Sequence, residues 1–180
     1  MFDHFLGDLS VIKTLLQPRN ILFGIAIFSG LSIIAMLVLQ HFLDMEPCPL
    51  CISQRIFMIG AGLLALLMGL FARKGRTTAL LSVPAIMLSI GGLAVAARHV
   101  WIQSLPEGEA PLCGPSLSYM FETRPMFDAL TVLFAGDGHC SDINLQVLGL
   151  SLPGWALVAF TGFTLSFVYV GVSALRNKTK

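Results

Sequence analysis

Charge is the scarcest commodity in this sequence. Only 12% of its 180 residues are Asp, Glu, Lys or Arg, about half the share of an ordinary soluble domain. The net charge is +1, which leaves no case for nucleic-acid binding on charge. Internal repeats, low-complexity stretches and a composition break that would mark a second domain are missing too. No small-residue cleavage motif follows the first apolar run, whose core is too long for a cleavable leader.

What fills the space is apolar residues, 56% of the chain, gathered into long runs. Four of these are read as membrane spans: 21–42, 52–72, 78–97 and 155–175. Each approaches the roughly 20 residues a helix needs to cross a hydrocarbon core of about 30 Å. Backbone amides find no water in lipid, so each run is expected to be helical. The fold class that follows is an all-α four-transmembrane-helix bundle, with residues 1–180 forming a single integral membrane domain.

The basic residues set the expected orientation. Lys13 and Arg19 precede span one, Arg73, Lys74 and Arg76 join spans two and three, and Arg176, Lys178 and Lys180 follow span four. These eight of eleven Lys and Arg residues fall on one side, which the positive-inside rule makes cytoplasmic. Both termini are then inside. The opposite loops hold eight of the ten acids: Asp44, Glu46, Glu107, Glu109, Glu122, Asp128, Asp137 and Asp142.

That topology sorts the four cysteines. Cys48 and Cys51 lie between spans one and two, and Cys113 and Cys140 between spans three and four. All four fall on the outer side, which in a bacterial inner membrane faces an oxidising compartment. Four cysteines allow three pairings, and the spacing does not choose among them. Cys113 and Cys140 would serve equally well as a structural staple. Cys48-Pro49-Leu50-Cys51 suits that role poorly, because a bridge over two residues removes little chain entropy, and tight pairs of this kind are more often redox-active. Zinc is a weak reading, since zinc sites favour a second closely spaced pair and here 26 residues separate Cys113 from Cys140.

Cys51 stands at the entry to the second span, where the positive end of the helix dipole favours a thiolate. Pro47 and Pro49 suit the irregular approach to a helix start. Arg55 follows Cys51 at i+4, on the same face one turn on. The competing account of Arg55 is a side chain reaching the outer headgroups. A cation beside a sulfur at the rim of the lipid phase instead suits a lipid-soluble carbonyl acceptor, whose developing negative charge Arg55 would stabilise. At the end of span three, His99 and Gln103 are i, i+4 partners if the helix continues, able to hydrogen-bond a quinone head group. An interfacial Trp and His belt is the ordinary alternative.

The stretch Cys48-Pro-Leu-Cys51-Ile-Ser-Gln-Arg55, the outer pair Cys113 and Cys140, and Leu148-Gly149-Leu150 with Pro153-Gly154-Trp155 opening span four together resemble the DsbB family of bacterial disulfide-forming membrane proteins. The resemblance runs through the whole chain in order. It implies an inner-membrane oxidoreductase that reoxidises a DsbA-like periplasmic dithiol oxidase and delivers the electrons to ubiquinone or menaquinone. By matching position, Cys113 would be attacked by the partner, Cys140 released to exchange with Cys48, and Cys51 left as a thiolate facing the quinone. Arg55 matches a quinone-side arginine, and His99 and Gln103 the head-group positions. Gln54 departs from the acidic residue expected in some relatives and receives no role. The energetics agree: a DsbA-like oxidant sits near about −120 mV, and a structural disulfide below about −300 mV could not reoxidise it, whereas a quinone coupled through Cys48 and Cys51 could.

Between Arg98 and Pro153 the connection is long, and long ordered loops usually carry function or local structure. Met126, Phe127, Leu130, Leu133 and Phe134 repeat at helical spacing after Pro125, which predicts an amphipathic helix on the membrane surface or on top of the bundle. Gly136 and Gly138 are read as pivots for Cys140. The arm with Phe2, Phe5, Leu9, Ile12 and Leu16 reads as an interfacial helix. Two rivals stand against the oxidase. A reductase of the vitamin K epoxide reductase type carries its Cys-x-x-Cys late in the chain. A membrane scaffold or transporter subunit with two structural disulfides predicts inert cysteines, and a transporter usually has mid-membrane polar groups, which these spans nearly lack.

Overall fold

In the computed structural model, residues 16–42, 47–71, 75–106, 109, 126–136, 138–141 and 146–176 are described. Cys113, Pro125, most of the N-terminal arm and the basic residues Lys13, Arg73, Lys74, Lys178 and Lys180 lie outside them. Four long apolar helices form the body: α1 (Pro18–Phe42), α2 (Pro49–Phe71), α3 (Gly75–Gln103) and α5 (Leu152–Arg176). Each is long and apolar enough to cross a membrane. A short helix α4 (Met126–Ala135) and a 3-10 turn (Gly138–Ser141) lie in the connection between α3 and α5.

Each helix overruns the span read for it, because apolar runs mark the lipid-embedded part and not the polar turns at its ends. The overrun is largest in α3, which starts three residues before its expected span and ends six after it, at Gln103. His99 and Gln103 are therefore helical neighbours, as their spacing required.

Packing is pairwise between chain neighbours, α1 on α2 and α2 on α3, with α3 most extensively against α5. Because chains of this kind gain nothing from moving apolar surface out of lipid, small residues that allow close approach decide the contacts. Gly62 faces Ser29 so closely that an added Cβ would sit 2.7 Å from the serine Cβ. Gly92 lies against the ring of Phe160, with no room for a methyl group. Phe160, Phe167, Val170, Ala61, Ala65 and Met68 are all but sealed from the surroundings, and Phe163 stacks edge-on to both Phe28 and Phe160. Large apolar side chains such as Leu80, Met87 and Leu165 point outward, as a lipid-facing surface should.

Just before α5 is a small hairpin that periodicity did not foretell. Gln146–Val147 pairs antiparallel with Leu150–Ser151, and the turn residues Leu148 and Gly149 have φ of 54° and 80°. Two positive φ values in a two-residue loop are the signature of a type I′ turn. Glycine adopts this without cost; leucine does not, and the indole N–H of Trp155 holds the turn down by donating to the Val147 carbonyl at 2.9 Å.

Candidate functional site

The site grows out of the first turn of α2. Proline at position 49 suits the first helical residue, where the missing amide would have no partner anyway. Cys48 then stands as the capping residue. Its carbonyl accepts from the Ile52 amide at 3.2 Å, and its sulfur accepts from the Cys51 amide at 3.3 Å, the place a serine or threonine hydroxyl takes in an ordinary cap. This fold of the chain puts the Sγ atoms of Cys48 and Cys51 2.9 Å apart, with the Cys48 thiol donating.

Two more groups close on Cys48. Its thiol is hydrogen-bonded to Cys140, which is fully buried. That bond first, then the one to Cys51 and the burial of the group, push the Cys48 thiol above its ordinary range. From α3, the buried ring of His99 brings Nε2 to 3.8 Å from the Cys48 sulfur. On the far side of the ring, Nδ1 meets the Gln54 amide nitrogen at 3.3 Å. With that amide donating, Nδ1 is the acceptor and the ring proton sits on Nε2, on the side of the sulfur, and the ring is also hydrogen-bonded to the Cys140 backbone.

Arg55 lies one turn beyond Cys51, half-buried, and its Nη1 donates to Oε1 of Gln40 on α1 at 2.7 Å. Gln103 is farther along α3, where its Oε1 accepts from the Ser151 hydroxyl at 2.8 Å. Three of the four predicted cysteines thus meet, with His99, at the α2 mouth, and Arg55 lies one turn below. Gln103 is engaged with the hairpin, and Cys113 is outside the described residues.

Sequence reasoning missed two polar residues. Gln54, left without a role, orients His99; Gln40, never singled out, holds Arg55. Both are neutral amides inside apolar runs, and a polar residue at span depth was the only signal either offered. The glycine expectation also changes. Gly136 has a φ of 78°, and a Cβ there would lie 2.8 Å from Leu50 and 3.1 Å from Ile102. It ends α4 as a left-handed terminator packed against both side chains.

Chemically, the cluster can exchange disulfides among three close sulfurs, with a ring N–H beside one of them. Ligand atoms of Cys48, Cys51 and His99 also lie within 4.8 Å of one another, a spacing a soft metal ion could use. The wide spacing of Cys113 and Cys140 argues against a zinc site built from two cysteine pairs; the group that the fold brings to Cys48 and Cys51 includes a histidine instead.

Comparison with known proteins separates these possibilities. A family model described as "Disulfide bond formation protein DsbB" matches residues 18–170. A protein named "Disulfide bond formation protein B" from Saccharophagus degradans is 45% identical over 151 residues, covering 83% of this chain and 91% of the relative. One of the same name from Hahella chejuensis is 43% identical over 134 residues, 74% of this chain and 81% of the relative. Another, from Psychrobacter arcticus, is 38% identical over 163 residues, 89% and 93% of the two chains.

Proposed function

The chain belongs to the DsbB family, and on that footing we propose that it is a thiol oxidoreductase of the bacterial inner membrane that reoxidises a DsbA-like dithiol protein and passes the electrons to ubiquinone or menaquinone. The observation that carries the reading is the convergence of Cys48, Cys51, Cys140 and His99 at the mouth of a membrane-length helix. Four such helices and the family assignment fit a multi-pass inner-membrane protein. The positive-inside distribution then puts both termini in the cytoplasm and the cysteines in the periplasm.

The proposed sequence of exchanges runs inward. A thiolate of the reduced partner attacks Cys113, breaking Cys113–Cys140 and releasing Cys140 as a thiolate. Cys140 attacks Cys48, breaking Cys48–Cys51 and releasing Cys51 as a thiolate beside Arg55. When the partner leaves oxidised, Cys113–Cys140 is restored and Cys48 departs as a thiolate. His99, held by Gln54, offers its N–H to that sulfur as charge develops on it. Two electrons have then left the partner, and Cys48–Cys51 re-forms as the acceptor takes them.

A quinone supplies the two-electron acceptor in this scheme, and the residues present fit one. Cys51 is only partly buried. The Arg55 guanidinium has five N–H donors and gives one to Gln40. On α3, His99 is committed to Gln54 and to the Cys48 side, so Gln103, one turn on and only partly buried, is the α3 residue proposed to face the head group. A scaffold with inert disulfides is not favoured, because its relatives bear the name of disulfide formation.

The test is quinone reduction by purified protein supplied with a reduced DsbA-like dithiol. Wild type turns over, Cys51→Ala is inactive, and Arg55→Ala needs more quinone to reach the same rate. A wild-type protein that reduces neither ubiquinone nor menaquinone, with cysteines that resist reduction, returns the chain to the scaffold reading.

A further inference from the structure

The last carbonyls of a helix have no partners within it. In α4, side chains of two different spans supply them. The Ser53 hydroxyl, buried on α2, donates to the Leu133 carbonyl at 2.7 Å. Nε of Arg98, on α3, donates to the Ala135 carbonyl at 2.8 Å. The Arg98 guanidinium is itself steadied over the Trp101 ring, 5.5 Å from its centroid. Between these two bonds, Leu133 is buried, and Phe134 meets Phe57 of α2 edge-on at 6.3 Å. Gly136 then turns the chain with φ of 78° against Leu50 and Ile102. Four residues later comes Cys140, fully buried and hydrogen-bonded to Cys48.

We propose that Ser53 and Arg98 are positioning residues for the exchange between the two cysteine pairs: by fastening the C-terminal end of α4 to α2 and α3, they set where Cys140 meets Cys48. The inference rests on the oxidase reading above. Attack of the Cys140 thiolate forms Cys48–Cys140 and expels Cys51 as a thiolate, so charge and electrons balance with no further reactant. Such an attack needs the sulfurs within about 3–3.5 Å and aligned, and a misplacement near 1 Å costs on the order of a hundredfold. Four residues of chain reach at most about 14 Å, so a tether this short carries the registration of the helix end directly to the sulfur. The two donors come from different spans, so the tether fixes both the position and the direction of the helix end.

Single-turnover quenching separates the steps. Full-length protein loaded with ubiquinone is mixed with a reduced DsbA-like dithiol, acid-quenched at intervals and mapped for its disulfides. In Ser53→Ala and Arg98→Ala, the mixed disulfide with the partner forms at the wild-type rate and accumulates. Formation of Cys48–Cys140 slows by roughly three- to tenfold in each, the size expected for one lost hydrogen bond, and by more in the double variant. Ubiquinone affinity, read separately by titration, is unchanged, which a general loosening of the bundle would not allow. Arg98 is exposed, so its variant does not depend on tolerance in the core. A wild-type rate for Cys48–Cys140 formation in both variants overturns the inference. So does a slowing accompanied by an equal loss of quinone affinity. If wild type forms no mixed disulfide at all, the oxidase reading itself has failed.

Discussion

The middle of the bundle and its cysteine end are built from different materials. In the middle, contacts are glycine against serine or ring, Gly62 on Ser29 and Gly92 on Phe160, and shape does the specifying. At the cysteine end, directed bonds are added to the packing: Cys48 to Cys51, to Cys140 and to Nε2 of His99, Gln54 to His99, Gln40 to Arg55, Ser53 and Arg98 to α4. Closeness holds one region together and orientation organises the other. A change of volume should therefore injure the first and a change of hydrogen-bonding capacity the second.

The sharpest way to break the contrast is at Gly92. Gly92→Ala places a methyl group into the Phe160 ring, and overpacking of this kind costs about 1–3 kcal/mol. Thermal denaturation in detergent should show the loss, while molecules that remain folded keep their quinone kinetics. Gly24→Ala on the open side of α1, where nothing lies within 4 Å, should be neutral by the same assay. Equal losses at both positions would show that close packing is not what distinguishes the middle.

At the other end, Gln40→Leu keeps the volume of the side chain and removes the acceptor for Arg55. With the guanidinium no longer held, the KM for quinone should rise roughly three- to tenfold, in line with the worth of one hydrogen bond, with kcat and thermal stability little changed. An unaltered KM would mean that Arg55 needs no help from α1. The smallest effect is expected at Ser29, whose buried hydroxyl has no hydrogen-bond partner among the described residues. Ser29→Ala should shift stability by no more than about 0.5 kcal/mol, and toward greater stability, because removing an unsatisfied buried hydroxyl relieves its desolvation cost while the lost packing against Gly62 offsets most of that gain. A clear loss would show that the hydroxyl has a partner after all.

How much of this was legible beforehand follows the same divide. The spans were readable because lipid demands length and apolarity, and both are properties of a run. The pairing of Cys51 with Arg55 was readable because i and i+4 share a helix face. The hairpin at 146–151 was not, since its turn is made by Leu148-Gly149 in place of the Asn-Gly or Asp-Gly that signals such turns. Gln54 on His99 and Gln40 on Arg55 join residues 45 and 15 positions apart, and nothing local encodes which amide meets which partner. The closeness of Cys140 to Cys48 was implied only by resemblance. No hydrophobic period marks Gly136 as a terminator, because the requirement comes from Leu50 and Ile102 packed against it.

The helices are also unequal in length. At 1.5 Å per residue, the 29 residues of α3 extend about 43 Å and the 23 of α2 about 34 Å, so α3 overshoots by close to two turns. The surplus at its C-terminal end carries His99 to the level of Cys48 and Gln103 on to the hairpin before α5. Under the proposed function, a quinone that reaches Cys51 there would arrive sideways, already dissolved in the bilayer. Its effective concentration is then moles per volume of lipid, so adding lipid or detergent at fixed total quinone should dilute the substrate and slow the reaction, while adding water should not.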